Sequence, residues 1–193
     1  MKWRYLLLST FVFILLFLTA CDDAIDSNMS EEIADFEFTT QDNEALGLQH
    51  LEDKWWIANF MYTNCTIICP TTTPNMASVQ AELQSSGLDA QFISFTVDPE
   101  HDTPKVLKEY AEEYQVDVSN WSFLSGYSFE EIQKLSNHSF KTVLEGGGPD
   151  EHEFVHSTYF FLVNPDGEVV KKYDGVSQEE MEVLVDDLKI VLK

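Results

Sequence analysis

Two cysteines four positions apart, Cys65 and Cys69, are the most chemically telling residues of the chain. They follow an apolar run, residues 55–62 (WWIANFMY), and precede Pro70 and Pro74. Both prolines suit the first turn of a helix, where no amide hydrogen is needed. A helix N-terminus carries partial positive charge and favours thiolate over thiol, and thiolate is the form that attacks disulfides and binds metal. On a regular helix, positions i and i+4 stand about 5–6 Å apart at Cβ, whereas a disulfide needs about 3.5–4.5 Å. Closing a disulfide here requires a non-helical loop. Two sulfurs each about 2.3 Å from one shared metal tolerate a wider span. The spacing leans toward metal and leaves a reversible disulfide open. A structural staple is a poor explanation, because so short a loop removes little unfolded-state entropy.

Two thiolates leave a metal ion short of ligands. The histidines are His50, His101, His138, His152 and His156. His156 has the strongest claim, because it opens a hydrophobic stretch where a polar ring without a partner is costly. Two sulfurs and one imidazole form a soft set suited to copper. His152 lies four residues earlier, in an acidic loop, and is an accessory candidate.

Positioning these residues requires an ordered scaffold, and the sequence supplies its pieces. Residues 36–40 alternate and meet a turn at Gln41-Asp42-Asn43, with residues 45–48 returning as a hairpin strand. Residues 55–62 read as a central strand covered on both faces. Met76, Val79 and Leu83 recur at helical spacing until Ser86-Gly87. Residues 91–97 (QFISFTV) form a second buried strand, and Asp102 or Thr103 caps the helix that follows, with Pro104 in its first turn. A short strand covers residues 121–124, and Ser128 with Glu131 makes a capping box. Gly146-Gly147-Gly148-Pro149 breaks the chain into a mobile loop. It lacks the Lys-Ser/Thr of a phosphate loop and sits beside Asp150, Glu151 and Glu153. Residues 155–164 form a strand that turns at Pro165-Asp166-Gly167 into another. Ser177 with Glu180 caps a last helix, whose Met181, Leu184, Val185, Leu188, Val191 and Leu192 share one face. This order, with cysteines at the end of the first core strand, points to an α/β thioredoxin-like fold: a central mixed sheet flanked by helices, with an N-terminal hairpin. It forms one domain over residues 36–193.

The N-terminus is of another kind. Lys2 and Arg4 precede an uncharged, mainly apolar run at residues 5–18, which is shorter than the roughly 20 residues of a membrane-spanning helix. It has the length of a signal-peptide core and ends in Leu18-Thr19-Ala20-Cys21. That ending resembles the bacterial lipobox, whose cysteine becomes the lipidated first residue. Residues 1–20 are therefore expected to be a lipoprotein signal peptide, and Cys21 a lipid anchor on the extracytoplasmic face of the cell membrane. Residues 21–35 are rich in acids and poor in large apolar groups, and read as a flexible tether. An oxidising compartment agrees with a redox-capable cysteine pair.

Composition bounds the partners. The apolar fraction of 44% excludes a wholly disordered chain, and 11 basic against 34 acidic residues give a net charge of −23. Such a surface repels phosphate backbones, so nucleic acid is not a partner, and cations or basic protein faces are favoured.

Three runs together carry a resemblance: T-N-C-T-I-I-C-P at residues 63–70, V-D-P-E-H-D-T-P at 97–104, and V-H-S-T-Y-F-F-L-V-N-P-D-G at 155–167. In their order and spacing they resemble the signature regions of the Sco/SenC family. These are membrane-tethered, thioredoxin-fold copper proteins that help assemble the CuA centre of cytochrome c oxidase. The resemblance spans roughly residues 36–193. It implies that Cys65, Cys69 and His156 are copper ligands and marks Asp98 and Asp102 as an acidic pair near the site. It also implies a CuA-bearing oxidase subunit as partner, alongside a thiol reductant or copper donor protein. The sequence departs from the family pattern at Thr66, Ile67 and Ile68, where an acidic residue is common between the cysteines. It departs again at Val155, where Asp often precedes the histidine. Both changes make the site more apolar and favour the less charged Cu(I) state.

Three activities compete at this level. The first is a metallochaperone that is not an enzyme. The second is a thiol–disulfide oxidoreductase that keeps the CuA-site cysteines reduced, using Cys65 and Cys69 as its redox pair. The third is a peroxidase of the same superfamily. A peroxidase has no use for His156.

Overall fold

The computed structural model describes residues 25–146 and 154–193. The signal peptide, Cys21, the first residues of the expected tether and His152 lie outside the described residues, as does most of the expected glycine loop. The strands are β1 (Glu31–Glu32), β2 (Glu37–Thr40), β3 (Ala45–Gly47), β4 (Trp56–Met61), β5 (Gln91–Thr96), β6 (Trp121–Ser125), β7 (Tyr159–Val163) and β8 (Glu168–Asp174). The helices are α1 (Cys69–Ser85), α2 (Pro104–Glu113), α3 (Phe129–Ser139) and α4 (Gln178–Val191). The strands form one mixed sheet in the order β1-β8-β7-β4-β5-β6-β2-β3.

β4 is the hub. All six of its residues are buried, as its unbroken apolar run requires. It pairs in parallel with β5, Phe60 facing Phe95, and antiparallel with β7, Ala58 facing Phe161. Phe60 meets Phe95, Phe140 and Phe161 at ring-centroid distances of 5.6, 5.2 and 6.2 Å. Burying each such ring contributes about 1.5–3 kcal/mol. The polar residue in β4, Asn59, is accommodated by a relay across three strands. Its Oδ1 accepts from Ser94 Oγ at 2.7 Å, and that oxygen accepts from Trp121 Nε1 at 2.8 Å. The sheet edge carrying the β4 C-terminus also carries the start of β7, which is what the antiparallel pairing enforces.

α1 begins at Cys69 and buries Met76, Val79 and Leu83. Pro70 lies in its first turn, but Pro74 sits inside the helix, one turn later than expected. Its far end closes through Gly87 at φ +69, whose amide and that of Leu88 reach back to Gln84 and Leu83 carbonyls. Ser128 and Glu131 form the expected capping box, and Ser177 accepts from the Glu180 amide. α1 and α4 are tied by Asn75, which donates to the Gly175 carbonyl and accepts from Gln178.

Two expectations are corrected. Residues 25–35 do not run free. Ile25 and Ile33 are buried, β1 pairs with β8, and the Asn28 side chain exchanges hydrogen bonds with the Lys172 backbone. Two apolar anchors and backbone pairing offset the ordering cost that the acidic composition suggested. The strand expected from residue 155 begins only at Tyr159, because the Ser157 hydroxyl captures the Tyr159 amide at 2.9 Å. Val155 instead bridges to Glu145. Of the two caps expected for α2, Thr103 is the one that forms, its side chain accepting from the Val106 amide.

Candidate metal centre

Each member of the candidate site is held by a different device. After β4 the chain turns, the Cys65 amide donating to the Tyr62 carbonyl at 3.2 Å. Cys65 therefore lies in a loop, and Cys69 is the first residue of α1. The Cys69 amide donates to Cys65 Sγ at 3.4 Å, so an otherwise unused donor of the helix N-terminus faces sulfur. His156 comes from the segment before β7. Its Nε2 lies 3.7 Å from Cys65 Sγ and 3.8 Å from Cys69 Sγ. The three ligand atoms lie within 4.8 Å of one another, and all three residues are buried. The cysteines are free thiols.

The imidazole is oriented from behind. Nδ1 faces the Ser157 carbonyl at 3.0 Å. A carbonyl can only accept, which assigns a proton to Nδ1 and turns Nε2 toward the sulfurs, where it donates to Cys65 when protonated and offers its lone pair to a metal ion when not. The Tyr62 ring meets the His156 ring edge-on at 5.6 Å and packs on Phe154, which reaches Phe129. These rings wall the site from water.

The distances fit a metal ion. With a metal–sulfur bond of about 2.3 Å, a metal–nitrogen bond of about 2.05 Å and trigonal angles, sulfur and nitrogen should lie about 3.8 Å apart. The observed 3.7 and 3.8 Å match that spacing without any rearrangement of His156.

The two thiols differ electrostatically. A hydrogen bond from Cys69 draws the Cys65 pKa well down, and bonds from His156 and from the Cys69 and Ile68 amides add to this against the desolvation of burial. Cys69 is pushed up, first because it gives its proton to Cys65 and then by burial. The pair therefore holds one proton between them across the neutral range. Burial and then the negative Cys65 also push the Tyr62 phenol up.

The structure places the expected acidic pair beside this centre without bringing it into the triad. Asp102 is fully buried and Asp98 nearly so. Their carboxylates lie within 4.8 Å of the His101 ring nitrogens. Asp102 accepts from the Thr63 amide and from the Thr63 and Thr96 hydroxyls. His50 accepts from the Gly47 amide at 2.9 Å, away from the triad. The sequence reading missed Thr63, Asn64 and His101, which form a hydrogen-bonded group next to Cys65. The faint signal was the position of His101 between the two acids of the 97–104 run.

Comparison with known proteins places this geometry in a family. The SCO1/SenC family model matches residues 25–193. A SCO1/SenC family lipoprotein from Bacillus anthracis is 36% identical with a TM-score of 0.81, over 87% of this chain and 100% of that one. BsSco, a member of the Sco family of cytochrome c oxidase assembly proteins in which a disulfide switch was identified, is 38% identical with a TM-score of 0.78, over 88% and 98%. ScoI of Bradyrhizobium japonicum, solved with copper bound, is 25% identical with a TM-score of 0.68, over 81% and 96%.

The depressed Cys65 pKa has a readable consequence. In the reduced, metal-free protein, thiolate absorption near 240 nm (about one thiolate per molecule) should persist as pH falls below the ordinary thiol pKa of about 8.5. The sign follows from the downward shift, which keeps the charged form at lower pH. Cys65→Ser should remove the band at neutral pH. An ordinary thiol titration in the unsubstituted protein would contradict the shared-proton pair.

Proposed function

The chain belongs to the SCO1/SenC family, and from that premise we propose that it is a copper metallochaperone. It holds one copper ion through Cys65, Cys69 and His156 and delivers it to, or prepares, the CuA site of a cytochrome c oxidase subunit. The observation that carries this reading is the placement of His156 Nε2 at 3.7 and 3.8 Å from the two sulfurs. The soft donor set favours copper over hard cations, and the copper-bound relative supports the choice of metal. Bound copper supplies the cargo. The protein's part is to present two sulfurs and an oriented imidazole in a water-poor pocket. The exposed, uncharged Thr66 and Ile67 on the loop favour the less charged Cu(I) state.

A second reading is thiol–disulfide oxidoreduction of the partner's cysteines. The Cys65–Cys69 proton sharing favours it, since a stabilised thiolate beside a thiol is the reactive arrangement. The two readings are mutually exclusive at any instant, because the same sulfurs cannot be both a disulfide and a thiolate pair.

The site sits on a chain that we place at the outer face of the cell membrane, anchored by lipid on Cys21. The lipobox order and the lipoprotein relative support that placement. No helix among the described residues is long and apolar enough to cross a membrane.

Copper titration of the reduced soluble domain should saturate at one equivalent, with thiolate-to-Cu(II) absorption lost in Cys65→Ser and in Cys69→Ser. His156→Ala should weaken Cu(II) more than Cu(I), because two thiolates already satisfy a linear Cu(I) ion. An unchanged Cu(II) spectrum in His156→Ala would remove it from the ligand set. For the anchor, intact-mass analysis of membrane-bound protein should show residues 1–20 removed and acyl mass on Cys21. Finding the full N-terminus without lipid would refute that placement.

A further inference from the structure

The group beside Cys65 has a geometry that the ligand set alone does not explain. Asp102, fully buried, accepts four hydrogen bonds. The donors are the Thr63 amide at 3.0 Å, the Thr63 and Thr96 hydroxyls, and His101 Nδ1 at 3.0 Å. On the outer side of the same imidazole, Asn64 Nδ2 donates to Nε2 at 3.3 Å. One carboxylate and one ring thus grip both residues of the turn that delivers Cys65. They do so from the loop between β5 and α2, itself tied by the His101 and Asp102 amides to the Asp98 carbonyl.

What this grip opposes follows from the other cysteine. Cys69 is fully buried in the first turn of α1, and that helix is locked by Met76, Val79 and Leu83 in the core. Disulfide formation brings the sulfurs to about 2.0 Å, so Cys65 is the partner that must move. On its C-terminal side the loop is exposed, Ile67 at 81%. The restraint comes from the N-terminal side, where Thr63 and Asn64 are fastened.

We infer that Asp102 and His101 act together as positioning residues. They fasten the Thr63–Asn64 turn and so hold Cys65 at metal-binding rather than disulfide distance from Cys69. The inference rests on reading Cys65 and Cys69 as the working pair, and it adds a device that sets their dithiol–disulfide balance. A disulfide is disfavoured while the turn is held, and the site stays ready for metal. His101 is half-exposed, so it can be replaced without opening the core. Asp102 is the stronger restraint.

The test is a redox titration of the copper-free soluble domain against oxidised and reduced dithiothreitol. In this exchange the two thiols pass two electrons and two protons to the small disulfide and form the Cys65–Cys69 bond. His101→Ala and Asn64→Ala should each move the equilibrium severalfold toward the disulfide. The double variant should shift no further than the larger single one, because both remove the same contact. Asp102→Asn should shift it at least tenfold, about 30 mV for a two-electron couple. Thermal unfolding of both redox forms separates positioning from bulk stability. A merely structural role lowers the Tm of dithiol and disulfide forms alike and leaves the potential unmoved. If Asp102→Asn does not fold, the two surface variants decide the matter. Unchanged potentials in those variants would overturn the inference. Because no copper is present, failure of copper binding leaves this test intact, and failure here leaves the proposed copper site standing.

Discussion

The contact of one imidazole nitrogen with two sulfurs is the constraint on which the rest of the structure depends. Cys65 and Cys69 lie 91 and 87 residues from His156 in sequence. Only the antiparallel register of β4 and β7 brings the end of one strand beside the approach to the other. That register is fixed in turn by burial. A one-residue slip would turn the inward rings of β4 and β7 to the opposite face, dismantling the Phe60, Phe95, Phe140 and Phe161 cluster. The core thus sets the spacing of the imidazole and the two sulfurs.

Two electrostatic effects then act on the same sulfurs. Hydrogen bonds from Cys69, His156 and two amides favour negative charge on Cys65, while burial opposes it. A metal ion held by both sulfurs would replace the shared proton, so metal loading and proton binding would compete. The buried carboxylate of Asp102 works differently. Charge from Asp102 adds slightly to the raised Cys69 pKa, but its direct bonds go to the turn that carries Cys65.

The sequence made some of this readable and hid the rest for identifiable reasons. β4 was legible because eight consecutive residues are nearly all apolar. The start of α1 was legible because Pro70 needs no amide partner, and α3 because Ser128 and Glu131 stand at capping-box spacing. The triad was legible in residue type and spacing, and partly through the family resemblance. The docking of residues 25–35 was not legible, since two isoleucines and a backbone ladder are hidden in an acidic segment. Nor was the late start of β7, which one serine hydroxyl decides locally. The role of Asp102 escaped because its partner Thr63 is 39 residues away, and local pattern at residues 98–104 suggests only a cap or a turn.

X-ray absorption at the copper edge of the loaded, reduced protein tests whether Cys65, Cys69 and His156 hold the ion. Two sulfur scatterers at about 2.3 Å and one imidazole nitrogen at about 2.0–2.1 Å are expected, with the imidazole contribution absent in His156→Ala. A shell with fewer than two sulfurs, or one unchanged by that substitution, would contradict that ligand set.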